Sequence, residues 1–211
     1  MSIFNDDIKS QLKNVLKDME NNVKIIFFGN EEQISKDTEE IIKEVVELTD
    51  KLSLESYNFK SENDKATLYG IDKAPGFTLL KSDNSQTRMK FYGPPAGYEI
   101  NSFIFSLLEA SGKEQDMPEN LINQIKSIDK KVNIKVFIGL SCPHCPGAVI
   151  AAHKLALLNE NIDAEMIEAN AFNELSTQFG ISSVPRIFFN DDLDLLGAQP
   201  LEKFIETINK L

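Results

Sequence analysis

The chain has 211 residues, 42% of them hydrophobic, and its 22 Lys and Arg against 33 Asp and Glu give a formal net charge of −11. That length and apolar content suffice for one or two buried cores, and the longest apolar run is too short to cross a bilayer. The acidic balance argues against binding to nucleic acid or to an anionic membrane, because both draw on basic patches.

The first seven residues are acidic and lack a basic start followed by an apolar stretch, so no secretory signal is expected and the expected location is cytoplasmic. Asn5-Asp6-Asp7 is placed to cap an amphipathic helix, with Ile8, Leu12, Val15, Leu16 and Met19 at helical spacing. An apolar strand follows at Val23 to Phe28, then a helix from Asp37 to Leu48 with the pairs Ile41/Ile42 and Val45/Val46. Strands are predicted at Leu54 to Phe59, Phe77 to Leu80 and Met89 to Tyr92, and a helix at Tyr98 to Leu108. Ser111 to Pro118 is a polar break before a helix at Glu119 to Ile128. It marks a boundary between a first unit, 1–115, and a second, 116–211. In the second unit the β-branched run Val132 to Ile138 predicts a buried strand. A helix follows over Ala148 to Leu158, then a strand ending at Glu168, a Val184-Pro185 step before Arg186 to Phe189, and a closing helix at Pro200 to Ile208.

Chemistry concentrates in Cys142-Pro143-His144-Cys145, which holds both cysteines of the chain. A strand feeding a helix through Gly139-Leu140-Ser141 places Cys142 at the helix mouth and Cys145 one turn inside, a spacing that closes a small disulfide ring. Unpaired N–H groups and the positive end of the macrodipole favour a thiolate there. They can bring a cysteine from about 8.5 to between roughly 3.5 and 7.5. Cys142 is therefore the expected nucleophile and Cys145 the resolving thiol, with Pro143 between them. Pro146 is tolerated in a first turn. The His144 imidazole can offer a hydrogen bond or partial positive charge to the Cys142 sulfur. That stabilises the reduced form and predicts a potential nearer about −120 mV than about −270 mV. His153, alone on its helix, reads as a surface or packing residue.

Two further positions belong to the predicted site. Pro185 opens a strand and is expected to follow a cis bond, which turns the Val184 backbone toward the cysteines so that a substrate chain can pair with it. Glu168 ends a strand placed beside the dithiol helix, where a part-buried carboxylate would accept the Cys145 proton. Charged strand-end residues more commonly face solvent.

The chain also repeats itself. Phe179-Gly180-Ile181-Ser182-Ser183-Val184-Pro185 matches Tyr69-Gly70-Ile71-Asp72-Lys73-Ala74-Pro75 at an offset of 110 residues, and the same offset lays Gly139 on Gly29. It lays Cys142 on Glu32 and Cys145 on Ser35, so the first unit carries no dithiol.

The order strand, C-P-H-C, helix, strand, helix, Val-Pro, two strands and helix resembles a thioredoxin or glutaredoxin unit. The tetrad itself is similar to that of periplasmic disulfide-introducing oxidases, whereas Cys145-Pro146-Gly147-Ala148-Val149 and Ala152-His153-Lys154 are closer to two-unit protein disulfide oxidoreductases. A silent first unit before an active second one resembles the N-terminal part of alkyl hydroperoxide reductase flavoproteins. The resemblance implies an α/β fold of two tandem thioredoxin-fold units, each a mixed central sheet flanked by helices, with the sheets joined edge to edge. It implies a thiol–disulfide oxidoreductase with no cofactor beyond its redox-active disulfide. A thioredoxin-reductase-like flavoprotein would stand upstream and a peroxiredoxin or protein disulfides downstream. Two other readings stay open: a zinc or iron–sulfur protein using the same cysteines in a dimer, and a docking module holding an extended partner segment beside Pro75.

Overall fold

The computed structural model describes residues 3–113 and 117–211, so the boundary expected between 115 and 116 lies outside the described residues. The first half runs α1 (Asp6–Leu16), β1 (Val23–Gly29), α2 (Gln33–Val46), β2 (Leu52–Asn58), α3 (Asn63–Leu68), β3 (Gly76–Leu80) and β4 (Gln86–Tyr92). A short 3-10 turn, Gly97–Glu99, then leads into α4 (Ile100–Ala110). The second half runs α5 (Glu119–Lys126), β5 (Val132–Ile138), α6 (Cys145–Leu158), β6 (Ile162–Glu168), α7 (Asn173–Gln178), β7 (Arg186–Phe189), β8 (Leu193–Leu196) and α8 (Leu201–Ile208).

The strands form one sheet in the order β2-β1-β3-β4-β6-β5-β7-β8. Each half repeats one plan. A parallel pair (β1/β2, β5/β6) is extended by two antiparallel strands (β3 and β4, β7 and β8). The halves meet where β4 lies parallel to β6, from Met89 opposite Ala164 to Tyr92 opposite Ile167. The expected edge-to-edge union is what the chain adopts, and it pairs two edges that would otherwise stand open.

Both faces of the sheet are covered, which explains why β1 carries the unbroken apolar stretch Ile25 to Phe28. In β1, Ile25 and Phe27 belong to a large core that also holds α4 and α6 residues, while Ile26 and Phe28 belong to a smaller core with Ala66, Tyr92, Phe137 and Ile167. Each such side chain, fully buried, contributes about 1.5–3 kcal/mol. Among the described residues, no helix is long and apolar enough to cross a membrane.

The halves also share a polar seam between α4 and α6. His153 is buried, with Nε2 3.3 Å from the Lys90 carbonyl oxygen and Nδ1 3.0 Å from Ser106 Oγ, and its ring stands edge-on to Phe91. A carbonyl can only accept, so Nε2 carries the proton and Nδ1 accepts from the serine. Burial pushes this imidazole down to about 3, with the Lys90 carbonyl opposing, so it is neutral. Nearby, Glu109 and Lys154 form an ion pair at 3.3 Å. Burial still raises the Glu109 carboxyl to about 7.

Several expectations shift. Asn5 caps α1 by accepting the Ile8 N–H at 2.9 Å, yet Ile8 and Val15 are exposed while Leu16 and Met19 are buried. Of the stripe, Leu12 packs partly buried against the core while Leu16 and Met19 enter it. α3 has no counterpart in the sequence reading, because six residues with only Ala66 buried leave no helical period to detect. The alignment of Gly29 with Gly139 does not hold either. Gly29 stands opposite Asn58 and Ile138 opposite Glu168, so β1 and β5 correspond at an offset of 109 while β2 and β6 keep 110. The second half inserts one extra residue in the turn that carries its cysteines. Within the helices the offset of 110 returns, with Ser35, Ile41 and Val45 buried on α2 as Cys145, Ala151 and Leu155 are on α6.

Candidate redox site

Cys142 and Cys145 are joined in a disulfide, their Cα atoms 5.5 Å apart. β5 delivers the chain to Gly139, whose carbonyl accepts the Cys142 N–H at 2.9 Å. α6 begins only at Cys145, so Cys142 stands ahead of the helix and Cys145 occupies its first position, a correction of one turn. The cause is Pro146. Lacking an N–H, it cannot bond back to the Cys142 carbonyl, and Cys145 N–H closes that turn instead at 3.4 Å. Cys145 is fully buried and Cys142 half-buried, so the two sulfurs differ in access.

The Val184–Pro185 bond is cis, as is Ala74–Pro75 in the first half. The Val184 carbonyl oxygen lies 3.8 Å from Cys142 Sγ. A Cβ on Gly139 would come within 3.5 Å of the Val184 side chain. Pro143 is exposed, and His144 is exposed at the N-cap position of α6 without a side-chain capping bond. Glu168 ends β6 buried, but its carboxylate serves its own loop, accepting from Ala171 N–H at 2.6 Å and Asn170 Nδ2 at 3.1 Å. Both carboxylate oxygens are thus engaged by residues of that loop.

In the first half, Glu32 is the N-cap residue of α2 and Ser35 is buried. Ser35 Oγ donates to Asn30 Oδ1 at 2.7 Å and accepts the Asn30 N–H at 3.1 Å, a closed pair that shapes the turn. Beside Pro75, Lys73 folds over the Tyr92 ring at 3.6 Å and pairs with Glu165 at 3.2 Å.

Sequence reading missed the acid that the first half brings to this region. Tyr98 N–H donates to the Leu140 carbonyl at 3.0 Å, two residues before Cys142. A Cβ on Gly97, at φ +57°, would run into that same carbonyl oxygen. The next residue along, Glu99, is fully buried. Its carboxyl is raised to about 7 by burial, against the opposing bond to Ser102. Ser102 Oγ lies 2.9 Å from the Glu99 carbonyl oxygen and also contacts its carboxyl. One hydroxyl proton cannot serve two acceptors, so a protonated carboxyl satisfies the group. The sequence signal was the glycine-bounded run Gly93-Pro94-Pro95-Ala96-Gly97, too irregular to read as a reach into the other half.

Residues 132–210 match the family model described as a thioredoxin domain. AhpF, a component of the alkyl hydroperoxide reductase of Staphylococcus aureus, is 30% identical over 190 residues, which cover 90% of this chain and 34% of that protein. A solved structure of the NTD_N/C domain of alkylhydroperoxide reductase AhpF from Enterococcus faecalis superposes with a TM-score of 0.92 at 28% identity, covering 97% of this chain and 99% of that one. The chain is homologous to the N-terminal domain of AhpF. It spans 34% of the length of the S. aureus relative. A protein disulfide oxidoreductase from Aeropyrum pernix is also similar, with a TM-score of 0.88 at 26% identity over 97% of this chain and 91% of that one. The AhpF likeness covers both halves, including the half without cysteines, and the fold is that of thioredoxin-like proteins throughout.

Proposed function

We propose that this chain is a protein thiol–disulfide oxidoreductase whose electron carrier is the Cys142–Cys145 couple. The carrying observation is the unequal access of the two sulfurs, Cys142 half-buried beside the Val184 carbonyl and Cys145 fully buried. In the reducing direction the Cys142 thiolate attacks a client disulfide, forming a Cys142–client bond and releasing the client's other sulfur as a thiolate that takes up a proton. The Cys145 thiol loses its proton and attacks Cys142 Sγ, which forms the intramolecular disulfide and frees the second client sulfur. Two electrons pass to the client and two protons balance them. His144 at the helix N-cap favours the Cys142 thiolate, and Val184 with Pro185 offers backbone to the arriving chain.

The relatives are components of alkyl hydroperoxide reductases, which supports a peroxiredoxin disulfide as the client and a thioredoxin-reductase-like flavoprotein as the upstream donor. A cytoplasmic location suits this direction, since a reducing pool keeps the dithiol charged. The test is trapping. After reduction, Cys145→Ser should accumulate a mixed disulfide with an oxidised peroxiredoxin, whereas Cys142→Ser should form none. Sustained turnover by Cys142→Ser would overturn the assignment.

A further inference from the structure

The loop after β4 differs from its counterpart after β8. Gly93 N–H bonds the Pro75 carbonyl at 3.1 Å as Gly197 N–H bonds the Pro185 carbonyl at 2.9 Å, so the two glycines correspond. From Gly197 the chain enters α8 at Leu201, but from Gly93 it runs to Ile100 before α4 begins, adding the Gly97–Glu99 turn. That addition is what touches Leu140, ahead of Cys142. It leaves Glu99 buried on one side and Tyr98 47% exposed on the other. An exposed tyrosine held by its own backbone beside a redox turn is placed to be met from outside.

The surroundings say what would meet it. Segments 93–98, 139–147 and 181–185 contain no Asp, Glu, Lys or Arg, in a chain that is 26% charged. These are the loops that bond or touch one another at the site, through Tyr98 to Leu140 and Val184 to Cys142. Leu140 and Val184 are half-buried, each showing part of an apolar side chain. Loops that lack Asp, Glu, Lys and Arg in a strongly acidic protein favour recognition by packing, and a tyrosine supplies area at low entropic cost.

We propose that Tyr98, donated by the dithiol-less first half, is a specificity-determining residue of the second half's redox site, packing against an apolar side chain next to the client cysteine. This rests on the oxidoreductase reading above and assigns the first half a share in client choice. The ring acts on encounter, leaving the exchange of bonds to the cysteines.

The test uses the full chain, reduced with dithiothreitol and freed of it, mixed with two disulfide-linked peptide dimers: one with Leu beside the cysteine, one with Ser. Hydroxyethyl disulfide serves as a small substrate without flanking residues. Wild type should reduce the Leu peptide several-fold faster than the Ser peptide at sub-saturating concentration. Tyr98→Ala should erase that preference through KM while leaving kcat and hydroxyethyl disulfide reduction unchanged, and Tyr98→Phe should restore it. A Tyr98→Ala protein that keeps the preference, or that slows on the small disulfide as well, refutes the assignment. A wild-type chain inert toward hydroxyethyl disulfide would instead bring down the oxidoreductase reading, and this inference with it.

Discussion

Ser106 Oγ and His153 Nδ1 meet at 3.0 Å across the seam between the halves, one on α4 and the other on α6. Both are buried, so each depends on the other to stay satisfied. His153→Ala removes a packed ring and strands the serine hydroxyl, and should cost about 3 kcal/mol in urea denaturation. A loss under about 1 kcal/mol would show that the seam relaxes around the gap. Deleting residues 1–110 goes further, uncovering the β6 edge and this α6 face together. The remaining fragment should fail to unfold cooperatively, and a soluble, cooperatively folding fragment would contradict the shared core.

Glu99 makes stability fall as pH rises. Its folded value of about 7 lies above the ordinary 4.5, so between those values the folded chain binds more protons than the unfolded one. The stabilisation is whole below about 4.5 and is lost as pH climbs through about 7. Glu99→Gln keeps the shape without the charge, and should gain on wild type by up to about 3 kcal/mol between pH 5 and pH 8. Equal pH dependence in the two proteins would place the titration elsewhere. His153 works in the opposite window, because a histidine lowered to about 3 costs stability as pH drops below about 6.5.

For His144 the readout is a potential. Removing an imidazole from the N-cap of the dithiol helix destabilises the thiolate, so His144→Ala should shift the couple about 30 mV toward more reducing values, equivalent to about 1.4 kcal/mol. Equilibration against glutathione buffers measures it. An unchanged potential would make the exposed ring a bystander.

Glu168→Ala separates two roles. A loop-holding carboxylate should show a loss of about 1–2 kcal/mol in stability with exchange rates within about twofold of wild type. A large fall in the rate of the Cys145 step at unchanged stability would return the residue to proton transfer.

What was legible follows physical lines. β1 and β5 announced themselves because strands buried on both faces carry adjacent apolar residues, Ile25 to Phe28 and Val136 to Ile138, and α2 because Ile41, Ile42 and Val45 mark a buried stripe. The cysteines, Val184 and Pro185 converge as their order implied. Position within the helix was not legible, since the start of α6 depends on a hydrogen bond that Pro146 cannot make. Glu99 was hidden for a different reason. Its own turn is tied by the Tyr98 N–H to Leu140, about 40 residues further along the chain, and no local pattern encodes that.

The β4–β6 junction has a mechanical consequence. Four residue pairs of continuous sheet, backed by the α4–α6 seam, leave no hinge between the halves. The block must travel as one piece. On the oxidoreductase reading proposed above, reach between two partners cannot come from flexing of the two halves against each other.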